Sequence, residues 1–236
     1  MLKKSIKNNY NMAKITKTEE EVRQQNVVEA VSKTEQFFKE NGKIVYGCVI
    51  GVLVIALVAL AYNRFILQPK KVQATNQMVR AEQWFQAGEY ELALTGDDND
   101  LGFEDIIKQY GSKAGEAVYL YAGIAKLQTG APEEAIKYLK KYDGEDPILL
   151  GKAQACIGDA YADLENYSEA INWYKKAAKT SDNALAAGYL LKAGIAAEAN
   201  GNEAQALSFY KEIKDQWGSA PEALEIDKYI TRIESK

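Results

Sequence analysis

The sequence predicts an all-α protein in which one transmembrane helix precedes a solenoid of helical hairpins. Two observations carry this prediction. Residues 44–62 form an apolar stretch without a charge, and three later segments share one pattern of small and aromatic residues at a spacing of 35 or 36 residues. A repeat at such a period is typical of solenoids, in which each hairpin is covered by its neighbours.

These observations divide the chain into five predicted parts. They are a tail over 1–43, a transmembrane helix over 44–62, a linker with a degenerate first repeat over 63–114, three hairpins over 115–217 and a capping helix over 218–236. Within the tail, apolar residues at helical spacing predict an amphipathic helix over 19–41. This helix either lies at the membrane surface or docks another protein.

The apolar stretch is long enough to span a membrane. Nineteen uncharged residues, eleven of them Ile, Leu or Val, run from Ile44 to Tyr62, and a helix of about 20 residues crosses the hydrocarbon core. A cleaved signal peptide is the alternative, because Ala59-Leu60-Ala61 resembles a cleavage site. Signal peptides have a short leader and an apolar region of about 7 to 15 residues. A tail of 43 residues before a longer apolar stretch favours an uncleaved anchor.

The basic residues of the tail predict the orientation of this anchor. Within twenty residues of the span, three Lys or Arg precede it and four follow it, so its immediate flanks do not discriminate. The whole tail carries nine, and basic residues in short segments favour the cytoplasmic side. We therefore expect the tail in the cytoplasm and residues 63–236 on the opposite side.

Charge and composition exclude several classes of function. The tail has a net charge of +3 and the remainder of −7, which disfavours nucleic acid as a partner. With no histidine, two distant cysteines and no phosphate-binding or nucleophile motif, we expect no enzyme, no metal and no cofactor. The acidic segment 96–100 is interpreted as a solvated turn, and Cys156 as a packed thiol.

The repeat places a small residue opposite an aromatic or aliphatic one in each hairpin. A glycine opens the pattern, alanine follows at +12, and a larger residue follows at +16. The members are Gly123, Ala135 and Leu139; Gly158, Ala170 and Tyr174, with Tyr161 at +3; and Gly194, Ala206 and Tyr210. Two helices joined by a polar turn satisfy these spacings, because the small residue lets them approach and the large one fills the space between them.

This pattern resembles the tetratricopeptide repeat (TPR), whose usual period is 34 residues. An earlier degenerate repeat is indicated by Ala81, Trp84 and Ala93, interrupted by residues 95–102. An unrelated helical bundle with three similar hairpins is the alternative.

The TPR resemblance implies a concave groove lined mainly by the first helix of each hairpin. Mapping that register onto the chain gives a candidate peptide-binding set of Leu120, Ile124, Leu127, Lys152, Asp159, Asp163, Leu191, Ile195 and Glu198. Ala155 and Asp159 stand where a carboxylate clamp needs a cation and an amide, so such a clamp is disfavoured. The set favours extended or helical peptide segments, and the alternative is that its apolar members pack between hairpins.

A second candidate contact lies inside the span. Gly47-x-x-x-Gly51 is a pattern that lets two membrane helices approach closely. The partner would be another membrane protein or a second copy of this chain, which would make the protein a homo-oligomer.

The whole arrangement resembles the YfgM-like family of ancillary SecYEG translocon subunits. The resemblance rests on Phe37-Phe38 followed by residues 39–43, "KENGK", directly before the span, and on the acidic TPR segment after it. It implies a bacterial inner-membrane protein with a periplasmic TPR domain. Its partners would be the SecYEG translocon, periplasmic chaperones and unfolded exported chains. A scaffold for another envelope assembly, such as cell-wall or outer-membrane assembly, is the alternative function.

Overall fold

The computed structural model describes residues 35–235, except the side chain of Ser112. Every regular element in this part of the chain is helical, which confirms the all-α prediction. The chain divides into two compact units, Met1–Phe65 and Ile66–Lys236. The first eighteen residues and most of the predicted amphipathic helix, residues 19–34, lie outside the described part.

The described part of the first unit is a helix, α1, over residues 35–62. The helical stretch Glu35–Gln86 is, by length and composition, long and apolar enough to cross a membrane. Its most apolar 18-residue window has a mean hydropathy of 2.9 and is 0% buried. Gly47 and Gly51 have no atom within 4 Å of the position a Cβ would take, so both are open to a partner.

Ten α-helices make up the second unit as far as the structure describes it. They are α2 Gln68–Gln86, α3 Tyr90–Thr95, α4 Phe103–Tyr110, α5 Ala117–Gln128, α6 Pro132–Leu139, α7 Pro147–Asp163, α8 Tyr167–Ser181, α9 Leu185–Ala199, α10 Glu203–Gln216 and α11 Ile226–Glu234. A π-helical turn, Asn63–Leu67, precedes α2. The start of the expected linker is therefore helical, and Pro69 is tolerated in the first turn of α2, where its missing N–H is not needed.

Three hairpins, α5–α6, α7–α8 and α9–α10, show the predicted close approach of small and large residues. A Cβ on Gly158 would lie 2.6 Å from the ring of Tyr174, and the glycines Gly123 and Gly194 face Leu139 and Tyr210 in the same way. The alanines at +12, Ala135, Ala170 and Ala206, are each 0% exposed. Tyr161, at +3 in the middle hairpin, packs half-buried against the same core. These contacts confirm a TPR-type solenoid.

The turn between the helices of each hairpin uses one left-handed residue at the same repeat position. Gly130, Glu165 and Gly201 all have positive φ, of 77°, 57° and 75°. Gly88, between α2 and α3, has φ 78° and stands at the same distance after Ala81. Side-chain caps then start α8 and α10, since Asn166 and Asn202 accept hydrogen bonds from the amides of Glu169 and Gln205.

The first repeat departs from this plan because its second helix is split. Ala81 and Ala93 are both fully buried, as expected for the first and +12 positions of the repeat. After α3 the chain makes a turn in which Gly96 and Leu101 pair as an isolated bridge, and the helix resumes as α4. Phe103 of α4 is buried and stacks on Tyr121 of α5, with ring centroids 5.7 Å apart.

The last helix, α11, covers the end of the solenoid with a narrower face than expected. Ile226 and Ile230 are buried against α9–α10, and Tyr229 and Ile233 pack beside them. Leu224, which the apolar pattern placed on the same stripe, is 83% exposed. It belongs to the 3₁₀ turn Pro221–Leu224 that precedes α11, so its side chain does not follow the register of the helix.

Candidate peptide-binding groove

The apolar members of the predicted groove divide into packed and exposed residues. Leu120 is only 4% exposed and belongs to the core. Ile124 and Leu127 pack half-buried on that core, and Leu191 does so on the core of the last two hairpins. Ile195 is 46% exposed. Ile195 is therefore the apolar groove residue that offers most surface to a ligand.

The charged members also differ in what they contact. Lys152 and Asp163 are exposed and have no ion pair with another described residue. Asp159 and Glu198 are half-buried, and each is held by a tyrosine and a cation from a neighbouring element.

Asp159 of α7 connects the second hairpin to the third. Its Oδ1 accepts a hydrogen bond from the Tyr174 hydroxyl at 2.8 Å. The Lys192 ammonium, on α9, donates to Oδ1 at 2.7 Å and to Oδ2 at 2.9 Å. Burial and the adjacent Asp159 carboxylate raise the pKa of Tyr174 well above its usual value, which keeps the hydroxyl as a donor.

Glu198 of α9 makes the same arrangement at the next junction. Its Oε1 accepts hydrogen bonds of 2.6 Å from the Tyr210 hydroxyl and from the Arg232 guanidinium on α11. Burial and the hydrogen bond to Glu198 raise the pKa of Tyr210. Asp159 and Glu198 thus join successive elements of the solenoid, and their carboxylates already have partners.

At the junction between the first repeat and the first hairpin, the central group is a lysine and its partners are carboxylates. The Lys126 ammonium lies 2.8 Å from carboxylate oxygens of both Glu104 and Glu134. Burial alone would lower the pKa of Lys126, but the hydrogen bonds to these carboxylates outweigh it and raise this pKa. Lys126 stands at the +3 position that Tyr161 takes in the middle hairpin, so this repeat has ion pairs where the middle hairpin has an aromatic ring.

A small apolar cavity lies beside the Asp159–Lys192 ion pair. It has a volume of about 230 Å³ and is lined by residues of α7, α8 and α9, namely Asp159, Ala162, Tyr167, Tyr174, Lys192, Ile195, Ala196 and Ala199. Two residues of the predicted groove set, Asp159 and Ile195, are brought together here. The others lie outside this cavity.

The acidic segment 96–100 and Cys156 each have a local structural environment in the described part of the chain. No group of three or more His, Cys, Asp or Glu there could hold a metal ion. Oδ1 of Asp97 accepts hydrogen bonds of 2.8 Å from the backbone amides of Asn99 and Asp100, and these hydrogen bonds lower the pKa of Asp97. Burial raises the pKa of the Cys156 thiol to about 11. The acidic segment therefore forms a turn, and Cys156 is buried in the core.

Sequence reasoning did not find the cations Lys192 and Arg232. Each pairs with a carboxylate that lies two α-helices earlier in the chain, 33 residues earlier for Lys192 and 34 residues earlier for Arg232. The sequence does contain a pattern that could have predicted these ion pairs: opposite charges separated by almost one repeat period. Residues one period apart lie side by side in a solenoid.

Comparison with known proteins finds similarity to solved structures. No protein-family model and no curated protein matches this chain. Among solved structures, it is similar to the crystal structure of MamA, with a TM-score of 0.48 and 19% identity over 66% of this chain and 94% of that chain. At this score the similarity carries no argument. The TPR assignment rests on the hairpin contacts described above.

Proposed function

We propose that this protein is a membrane-anchored TPR adaptor of the SecYEG translocon that receives exported polypeptides or periplasmic chaperones. The observation that carries the binding role is the apolar cavity beside Ile195, on the predicted concave face. An apolar surface open to solvent is a common mark of a protein-binding site. The association with the translocon is supported by the resemblance of the chain to the YfgM-like family.

The cavity suits one apolar side chain of an extended or helical segment. Ala162, Ala196 and Ala199 leave the space open because their side chains are short, and Ile195 provides an apolar edge. The exposed residues Lys152 and Asp163 lie on α7, which also contributes Asp159 and Ala162 to the cavity. Their charged groups are available to polar groups of the client. A single small cavity gives weak and reversible binding, which a protein that releases exported chains requires.

The proposed anchor would keep the TPR unit attached to the membrane that exported chains cross. The apolar residues 44–62 would hold the protein in the inner membrane with the TPR unit in the periplasm. Gly47 and Gly51, which are open in the first unit, would pack against a translocon helix or a second copy of this chain.

The first test is purification of the tagged full-length protein in a mild detergent, with crosslinking and mass spectrometry. We expect SecY, SecE or SecG to be recovered through contacts near Gly47, Gly51 or the tail. Recovery of other envelope machinery without a translocon subunit would refute the proposed association and support the general scaffold.

The second test places a photocrosslinking amino acid in the cavity. We expect exported chains to be labelled from position Ile195 and, more weakly, from Ile124. The matched control is Ser208, an exposed residue of α10 that does not line the cavity. Equal labelling from Ile195 and Ser208, or none from Ile195, would exclude the groove as the binding site even if the translocon association holds.

A further inference from the structure

A second cavity lies between the second helices α8 and α10, and it shares no residue with the groove cavity. Its volume is about 340 Å³. Its floor consists of Ala178, Ala186, Leu190 and Phe209, each less than 9% exposed, and Trp217 forms a half-buried wall. An apolar floor of this kind fits a single aliphatic or aromatic side chain of a partner.

Exposed lysines lie along α8, which lines this cavity, and at the end of α6. Six lysines at the end of α6 and along α8 are exposed, although the chain after the tail has a net charge of −7. They are Lys137, Lys140, Lys141, Lys175, Lys176 and Lys179. None of them forms an ion pair with another described residue. We call these six residues the lysine surface.

Two lysines of this surface are positioned by an aromatic side chain. The ammonium groups of Lys140 and Lys176 lie 5.7 Å and 4.7 Å from the ring centre of Trp173. Lys140 also donates a hydrogen bond of 3.2 Å to the Tyr161 hydroxyl. Because contact with the aromatic ring already restricts these two lysine side chains, they lose less conformational entropy when a partner binds them.

The charges at the rim set the direction in which a partner would lie. Lys175 and Lys179 line the side of the cavity formed by α8, Asp182 directly follows the end of α8, and Glu212 lies on α10. A partner that inserts an apolar side chain therefore meets lysines along α8 and carboxylates at the C-terminal end of α8 and on α10. Its own acidic residues must lie over α8, from which the lysines continue to the end of α6 across Trp173.

We propose that the lysine surface and its cavity bind an acidic protein segment with one large apolar anchor residue. The anchor enters the cavity, and the flanking carboxylates pair with lysines of α8 and α6. Charge complementarity selects an acidic partner, and the cavity favours a protein segment over an anionic membrane, because lipid headgroups need no apolar cavity for one side chain. This site is separate from the groove and does not depend on its function.

The test measures binding of labelled peptides to the full-length protein in nanodiscs of zwitterionic lipid. The first peptide, which is the probe, carries one phenylalanine with a run of glutamates on one side. Two control peptides differ from it in one feature each: one has serine in place of the phenylalanine, and the other has lysines in place of the glutamates. We expect only the first peptide to bind, with weaker binding at high salt. Its binding should change the emission of Trp217, and Trp217→Phe should remove that change.

Protein variants distinguish binding at this site from non-specific attraction between the acidic peptide and other lysines of the protein. Lys175→Glu combined with Lys179→Glu should weaken binding at least about tenfold, because both attractions become repulsions. The control combines Lys71→Glu with Lys108→Glu, two exposed lysines on α2 and α4, and should leave affinity unchanged.

Three outcomes would overturn the proposal. They are no binding of the acidic peptide, equal binding of the serine peptide, and an equal loss of affinity in both double variants. Binding of vesicles that contain phosphatidylglycerol, lost in Lys175→Glu/Lys179→Glu while no peptide binds, would assign the surface to the membrane instead.

Discussion

Replacing Gly158 by alanine tests the contact on which the repeat is built. A Cβ at this position would lie 2.6 Å from Cε1 and 2.7 Å from Cδ1 of Tyr174, whereas ordinary contacts begin at 3.4 Å. The Tyr174 ring is only 4% exposed, and its hydroxyl is bound to Asp159. Burial and the hydrogen bond to Asp159 restrict the ring, so to admit the methyl group either the ring shifts toward the adjacent groove cavity or α7 and α8 separate.

The expected loss of stability follows from three terms. Overpacking of a well-packed core costs about 1–3 kcal/mol. Weakening of the Tyr174 hydrogen bond adds about 0.5–1.5 kcal/mol. Alanine in a helix is better than glycine by about 1 kcal/mol, which opposes both. We expect Gly158→Ala to lower the free energy of unfolding by about 0.5–3.5 kcal/mol, and the midpoint of about 2 kcal/mol corresponds to a Tm lower by roughly 4–8 °C.

The matched control is Gly188→Ala in α9. The nearest atom to a Cβ there is Oε1 of Glu222 at 3.0 Å, the end of a flexible side chain that can move away. Here we expect a gain of up to about 1 kcal/mol from helix propensity. Urea unfolding of the full-length protein, followed by tryptophan fluorescence, measures both variants. If Gly158→Ala is as stable as Gly188→Ala, the close approach of α7 and α8 does not limit this position.

Further predictions concern the turn, the buried thiol and the junction tyrosines. Glu165→Gly should raise the free energy of unfolding by about 1 kcal/mol, because a left-handed conformation is costly for a residue with a Cβ; an unchanged urea midpoint would contradict the positive φ of 57°. In a Cys48→Ser background, Cys156 should react with a thiol reagent at neutral pH only after unfolding, because burial raises its pKa to about 11; rapid labelling of the folded protein would contradict this. The raised pKa values of Tyr174 and Tyr210 imply that stability is lost as pH rises above the usual tyrosine value of about 10, since the unfolded chain then releases protons that the folded one retains. A spectroscopic titration that shows all tyrosines ionising before the protein unfolds would refute this assignment.

Much of the fold was predictable because it depends on residue size at regular spacing. Gly158 and Tyr174 indicate a close helix pair in the sequence, and the structure places them in contact. The interruption after Ala93 was also predictable, since residues 95–102 contain turn-forming glycine and aspartate. Such features are local to one hairpin and need no knowledge of its neighbours.

The candidate site was less predictable, because it depends on how successive elements meet. The sequence assigned Leu120 and Ile195 equally to the groove, yet Leu120 is buried and Ile195 is 46% exposed. Periodicity identifies the helix face of a residue. It does not tell how deeply the next hairpin covers that face.

The sequence by itself determined an apolar stretch of membrane-spanning length, a helical-repeat fold and the hairpins that form it, because hydrophobic length and repeat period are properties of the chain. Only the tertiary structure decided that Lys192 reaches Asp159 and Arg232 reaches Glu198. It also decided that apolar residues of α8, α9 and α10 enclose a cavity beside exposed lysines. These features arise where separate helices pack, and the position of one helix on another is set by the fit of many side chains at once.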